Sequence, residues 1–473
     1  MSADLYACVE PPLFPPAGER ARVDALLTDA LSDLHERIAR GPVMPDCTQE
    51  DIARELAQFD FSRSLRLDEL ISWLVQRMER GLVHVTHPRY FGLFNPGPTF
   101  AAQCADRIAA AFNPQLATWT TSPFAVGLER HVIHHVAARA GLPPSASGHF
   151  TTGGSEANAT ALICALTAAH PAFARVGARC FGGQPTLYIS REAHLAWIKI
   201  AHQTGIGRDA VRLVATDGQG RMCAAALAAQ MASDRAEGRV PVLAVGTAGT
   251  TGAGMIDPLA ACGEALREHG VWFHVDAAWA GAAIASDRLR PALGGIEAAD
   301  SITIDAHKWF ATTMGCGMFL VRDPSVLSQA FGVSTTYMPS NLEQLDPYVT
   351  TIQWSRRFLG VRLFVSLGVA GWAGYAAHVE RAVDLAHHIG AELSARGWGV
   401  ANDSPVAVLC LEPPPGSPEP QEIVRHVQAS GAAFVSLATF EGRRTIRVCV
   451  THGAATYDDA SILVDALETA RRE

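Results

Sequence analysis

Apolar positions first recur at helical spacing. Over residues 20–40 the leucines Leu26, Leu27, Leu31 and Leu34 fall on one helix face, and residues 49–82 continue the pattern, which predicts a helical N-terminal region. Ahead of it Pro11, Pro12, Pro15 and Pro16 mark an irregular arm. From about Phe150 the period changes, and short β-rich runs alternate with alanine-rich helical stretches. The runs are Thr186–Ser190, Val211–Ala215, Val240–Thr247, Val271–Val275, Ser301–Ile304 and Met318–Val321, with helices such as Glu156–Ala169 and Met222–Arg235 between them. Alternating β and α units predict an α/β fold with a mostly parallel sheet covered on both faces. Ligands of such sheets bind at the C-terminal ends of the strands. After Arg357 a long helical stretch, Phe358 to about Arg396 with glycine interruptions, leads into a smaller α+β region whose clearest strands are Val406–Leu411 and Thr445–Val450. The expected division is an N-terminal helical segment over 1–92, a large α/β domain over 93–357 and a small α+β domain over 358–473.

Composition narrows the class. The 473 residues are too many for one ordinary core, and 48% hydrophobic with 18% charged residues is globular. A net charge of -9 leaves no basic footprint for nucleic acid. Ten scattered cysteines form no C-x-x-C pair, which argues against a zinc site or a disulfide framework and fits a reducing compartment. The N-terminus lacks the basic start and apolar core of a signal peptide, and charges and prolines interrupt every apolar stretch. The expectation is a soluble cytoplasmic protein with no metal, no nucleic-acid partner and no membrane partner.

Candidate chemistry collects at strand ends. Lys308 follows the run Ile302-Thr303-Ile304 in an apolar neighbourhood, where a lysine amine can lose its proton and attack a carbonyl to form a Schiff base. Asp276 ends the run Val271–Val275. A strand-end lysine and a strand-end acid on neighbouring strands are what a pyridoxal phosphate site needs: the lysine holds the aldehyde and the acid keeps the ring nitrogen protonated. Gly153 and Gly154 in Thr151-Thr-Gly-Gly-Ser-Glu-Ala-Asn158 let backbone amides approach a ligand, and Ser155 adds a hydroxyl at a helix start, a phosphate site in the absence of a P-loop ending. His194 follows a strand end and could stack on a flat ligand, and Thr250 in Thr247-Ala-Gly-Thr-Thr-Gly252 could bond to a ring substituent. Each has a plainer alternative: a glycine turn with Ser155 as N-cap, a surface histidine at 194, an ordinary turn at 250, a helix N-cap at Asp276, a core histidine at His307 and a solvated lysine at 308.

The ordered set resembles a family. His87-Pro-Arg-Tyr-Phe91, Ser122-Pro123, Leu128-Glu129, Gly153-Gly-Ser-Glu-Ala157, Ala193-His194, Gly249-Thr-Thr251, His274-Val-Asp-Ala-Ala278, His307-Lys-Trp309, Arg356-Arg-Phe358 and Ile446-Arg-Val-Cys449 are similar to the pyridoxal-phosphate-dependent group II amino-acid decarboxylases, from about His87 to the C-terminus. These include the aromatic amino-acid, glutamate and cysteine-sulfinate decarboxylases. The resemblance implies an aspartate-aminotransferase-like fold (fold type I) and a homodimer with its sites at the subunit interface. It implies that Lys308 forms the internal aldimine, Asp276 pairs with the pyridine nitrogen, Ala278 lies against the ring and His194 stacks on the other face. Gly153, Gly154, Ser155 and His307 would surround the phosphate, with Thr250 near the ring substituents.

The same resemblance implies loss of CO2 from an L-amino acid, then return of a proton from a tyrosine on a loop after the lysine. That loop spans roughly Gly332 to Thr351 and offers Tyr337 and Tyr348; Tyr348 is the choice because it lies nearer Arg356-Arg357. Family members altered in that loop let oxygen divert the reaction to an aldehyde, so oxidative decarboxylation-deamination is an alternative, as are transamination and non-catalytic binding of pyridoxal phosphate. Gly92 and Leu93 stand where glutamate decarboxylases carry Asn-Gln, and an apolar lining of Leu93, Phe94 and Trp119 favours an aromatic or large apolar substrate over a carboxylate. Arg447 sits where glutamate decarboxylases place an arginine on a substrate carboxylate, or it forms a structural ion pair.

Overall fold

The computed structural model describes residues 13–45, 47–333 and 346–473. The strands of the large sheet are β1 (Ser147–Thr151), β2 (Pro185–Ser190), β3 (Val211–Val214), β4 (Val240–Thr247), β5 (Trp272–Asp276), β6 (Ser301–Asp305) and β7 (Gly317–Val321), in the order β1-β7-β6-β5-β4-β2-β3. The run from β3 through β2, β4 and β5 to β6 is parallel, and β7 is antiparallel to both β6 and β1. The central strands are buried along nearly their whole length, as a sheet covered on both faces requires. Alternation still sorts their side chains: on β4, Leu243 and Val245 join one core cluster and Ala244 the other. Helix Gly154–Ala169 is buried around most of its girth, which its Ala-rich sequence allows.

The six strands read from the sequence are all present, with ends shifted by a residue or two. β1 (Ser-Gly-His-Phe-Thr) has one large apolar residue and gives no β-rich run. The N-terminal region forms helices Ala17–Ser32, Leu34–Arg40, Gln49–Leu56 and Leu67–Gly81; a capping box between Thr48 and Asp51 starts the third. The long helix is Gly360–Ser394, and Gly371 breaks it at φ 61°, ψ 177°, a conformation suited to glycine.

The smaller sheet has strands β8 (Gly399–Val400), β9 (Val408–Glu412), β10 (Ser436–Phe440) and β11 (Arg443–Cys449), all antiparallel, in the order β10-β11-β9-β8. Residues 89–91 are stitched to this region. Phe91 N–H donates to Phe434 O (2.8 Å), Phe434 N–H to Arg89 O (3.1 Å) and Cys449 N–H to Phe91 O (2.7 Å). Tyr90 stacks flat on Phe434 at 5.1 Å. Among the described residues no single helix is long and apolar enough to cross a membrane.

Candidate active site

A cavity of about 370 Å³ opens at the C-terminal ends of the parallel strands, where this architecture places ligands. The ends of β1, β2, β4, β5 and β6 deliver residues to it. β1 turns at Thr152 and Gly153 into helix Gly154–Ala169, and Gly153, Gly154 and Ser155 line the cleft. The helix is capped by Gly153, so Ser155 lies inside the first turn and is not the N-cap. A Cβ on Gly154 would come within 2.9 Å of Asp305 Oδ2 and 3.4 Å of Ala278 Cβ, so only glycine keeps this floor open. Amides at a helix start lack partners within the helix and carry the positive end of its dipole, which suits a phosphate. His307 stands beside them, its Nδ1 3.2 Å from the donating N–H of Cys316.

β5 and β6 supply the acid and the amine. Asp276 Oδ2 accepts from Asn158 Nδ2 at 2.7 Å, and Oδ1 accepts from the Ala278 N–H at 3.2 Å. Instead of capping an α-helix, Asp276 precedes a turn that reaches the 3₁₀ segment Ala280–Ala285. Lys308 Nζ lies 2.9 Å from Asp305 Oδ2. His194 lines the cleft from the end of β2, fixed by the Ala196 N–H that donates to its Nδ1 at 3.1 Å. Amine, acid, imidazole and helix start thus share one cleft, and Ala278 lines it as well. An aldehyde-bearing pyridine with a phosphate fits this set: an amine for the aldehyde, an acid for the ring nitrogen, a glycine-floored amide cradle for the phosphate.

Other residues are placed elsewhere. Thr250 is fully buried, its hydroxyl accepting from the Met255 N–H at 3.0 Å, and Thr251 lines the cleft instead. Of the four substrate-pocket residues, Phe94 lines the cleft, while Leu93 is 45% exposed and Trp119 and Arg447 are outside the lining. Arg447 is buried, with its guanidinium 4.4 Å from the Phe94 ring centre, one nitrogen donating to Gly92 O, and Nε and Nη2 without partners. Arg447 therefore makes no structural ion pair with a described residue. Tyr348 is not brought to the cleft of its own chain: it is buried, its N–H donates to Ala117 O at 3.1 Å, and its ring packs on Trp354 at 4.9 Å. Tyr337 lies outside the described residues.

Several cleft residues carried no assigned role in the sequence reading. Asn158 is one helical turn beyond Gly154, so helical spacing could have found it; Asp305 is the last residue of β6, three before Lys308 across the following turn, so strand-end position could have found it. Glu156 accepts from Thr152 N–H (2.8 Å) and from Gln353 Nε2 (2.8 Å), tying the segment before Arg356 to the helix start. Trp279 stacks on Phe94 (4.2 Å, 17° between planes) and on Trp309 (4.6 Å, 11°), a column of three rings whose first two line the cleft and whose third is buried behind them.

Comparison with known proteins agrees with this geometry. The family described as "Pyridoxal-dependent decarboxylase conserved domain" matches residues 54–409. Tryptophan decarboxylase 2 of Oryza sativa is 27% identical over 441 residues, covering 90% of this chain and 88% of the relative. L-2,4-diaminobutyrate decarboxylase of Rhizobium meliloti is 31% identical over 372 residues, covering 78% of this chain and 71% of the relative. The crystal structure of mouse CSAD superposes with a TM-score of 0.90 at 26% identity, covering 96% of this chain and 99% of the other. The fold is fold type I, the cofactor is pyridoxal 5'-phosphate, and the chain belongs to the pyridoxal-dependent decarboxylase family as an amino-acid carboxy-lyase.

Proposed function

We propose that the chain acts on an L-amino acid with an aromatic or large apolar side chain, giving the amine and CO2. One observation carries the choice of substrate. Phe94 lines the cleft with its ring 5.9 Å from Lys308 Nζ, and it ends the ring column through Trp279 and Trp309. A flat or bulky side chain gains by packing against that column. A carboxylate placed there meets three acids in the lining, Glu156, Asp276 and Asp305, against one lysine. A second reading rests on Arg447, whose two unpartnered nitrogens lie just beyond Phe94; an acidic side chain that displaced the ring would reach them.

The cofactor, when bound, supplies the electron sink for the pair left as the carbon–carbon bond breaks. In this reading Lys308 holds the cofactor's aldehyde, and Asp305 holds the amine when it is free. Asp276 keeps a proton at the ring nitrogen, while Asn158 and the Ala278 amide hold Asp276. His194 and Ala278 lie against the ring from its two sides. Gly153, Gly154, Ser155 and His307 take the phosphate. Thr250 acts from below, by holding the turn that presents Thr251.

We read the active form as a homodimer. Phe100, Phe112, Phe124 and Val369 are each at least 75% exposed, on three neighbouring helices, more apolar surface than a lone chain favours. The division into 1–92, 93–357 and 358–473 is part of this reading, supported by one sheet within 147–321 and the other within 399–449. A cytoplasmic location fits the nine described cysteines, all of which are free.

The test is one incubation with a panel of L-amino acids, measuring CO2, amine, aldehyde and peroxide. The expected result is CO2 and amine in equal amounts, with kcat/KM for aromatic or large apolar substrates about tenfold or more above that for aspartate and glutamate. Preference for the acidic substrates would favour the Arg447 reading. Aldehyde with peroxide would assign oxidative decarboxylation, and an oxo acid without CO2 would assign transamination.

A further inference from the structure

Asp276 is held by a line of buried side chains that crosses the sheet away from the cleft. His274 and Asp276 are two residues apart on β5 and so share a face. The register sets His274 beside Ser301 on β6. Trp272 Nε1–H donates to Ser301 Oγ at 2.8 Å, Ser301 Oγ lies 2.8 Å from His274 Nδ1, His274 Nε2 lies 3.1 Å from Asn158 Oδ1, and Asn158 Nδ2 donates to Asp276 Oδ2 at 2.7 Å. His274 and Ser301 are fully buried and Asn158 is 3% exposed.

The chemistry of the members fixes every direction. An indole N–H only donates and an amide oxygen only accepts. Turning the Asn158 amide over would set its oxygen against the Asp276 carboxylate, so its NH2 faces the acid and its oxygen faces His274. His274 must therefore carry its proton on Nε2 and accept at Nδ1 from the Ser301 hydroxyl. Burial pushes the His274 pKa down to about 4, which keeps the ring in the neutral form this pattern needs. An amide passes no proton, so the line is a brace and not a wire.

We propose that His274, acting through Asn158, is a positioning residue for Asp276, holding its carboxylate so that the open edge faces the ring nitrogen of the bound cofactor. The proposal rests on the reading of Asp276 as the partner of that nitrogen. Cofactor binding and the protonation of its ring nitrogen then depend on side chains that never touch it.

The experiment loads the protein with ¹⁵N-labelled pyridoxal 5'-phosphate, reads the ring-nitrogen shift by NMR across neutral pH, and measures cofactor affinity by titration. Asp276→Ala is expected to move the shift to the unprotonated value. His274→Phe and Asn158→Leu are expected to move it part of the way and to weaken the affinity about tenfold or more, the effect of one lost hydrogen bond to a charged group. His274→Gln, which keeps a donor towards Asn158, is expected to stay within about threefold of the parent. Ser301→Ala removes only a hydroxyl; it is expected to weaken affinity by about threefold and serves if the larger changes prevent folding. Parent-like shift and affinity in folded His274→Phe and Asn158→Leu, or in Ser301→Ala if those two do not fold, would overturn the brace. So would a loss in His274→Gln equal to that in His274→Phe. If Asp276→Ala also leaves the shift unchanged, the reading of Asp276 itself has failed.

Discussion

Lys308 Nζ and Asp305 Oδ2 stand 2.9 Å apart, three residues from each other across one turn after β6. Asp305 is 3% exposed, and its second oxygen has no hydrogen-bond partner among the described residues. The pair has two costs for an anionic cofactor. On the proposed reading of the site, the amine would leave its carboxylate to take the aldehyde, and that carboxylate lies beneath the helix start proposed to take the phosphate.

Asp305→Asn removes both costs while keeping the shape. The expected outcome is tighter binding of pyridoxal phosphate by about 1–2 kcal/mol, the size of one partly screened charge contact. Titration of the cofactor-free protein followed by absorbance measures it; weaker binding in the variant would show that the carboxylate supports the cofactor instead of opposing it.

Phe94 separates the cleft from Arg447. Phe94→Ala is expected to raise KM for aromatic substrates by about 10- to 100-fold, the loss of roughly 1.5–3 kcal/mol of apolar contact. The same variant uncovers the two free nitrogens of Arg447, so activity on glutamate or aspartate is expected to rise. Steady-state kinetics on both classes decides, and an unchanged aromatic KM would remove Phe94 from the substrate wall.

Tyr348 packs inward on Trp354. Tyr348→Phe is therefore expected to keep amine formation within about threefold of the parent, because no hydroxyl is lost from the cleft of the same chain. A variant that instead released aldehyde in place of amine would restore Tyr348 as the proton donor.

Acid is expected to destabilise the fold through buried histidines. Burial lowers His274 to about 4 and His149 to about 3, both below the unfolded value near 6.5. The unfolded chain then binds protons that the folded chain refuses, so their stabilising contribution is complete above about pH 6.5 and is lost as pH falls towards 4. Each costs about 1.4 kcal/mol per pH unit in that window. Thermal melts of the cofactor-free protein between pH 7 and about pH 5 should show Tm falling steadily; a flat Tm would mean these imidazoles accept protons in place.

The sequence made the parallel sheet legible because its central strands are buried on both faces and read as short runs rich in β-branched and aromatic residues. β1 and β10 escaped for opposite reasons: one holds a single large apolar residue, and the other is half exposed. Lys308 and Asp276 could be picked out as candidates because this architecture places ligands at strand ends, and both line the cleft. The choice between Thr250 and Thr251 was not, since the chain leaves strand periodicity after Thr247. Tyr348 was chosen for its nearness to Arg356, yet Arg356 is itself buried on Glu129 at 2.8 Å. A residue tied to that landmark is drawn into the core of its own chain, away from that chain's cleft.

The stitching of residues 89–91 to the small sheet reaches further than its three hydrogen bonds. Phe94, three residues on, packs its ring on Trp279, just past the end of β5 in the large sheet. The segment that puts Phe94 on the cleft is thus held from two sides, by the small sheet through residues 89–91 and by Trp279 of the large one. On the proposed reading of Phe94 as a substrate wall, a change that shifts this segment, however remote, alters the size of amino acid the cleft admits.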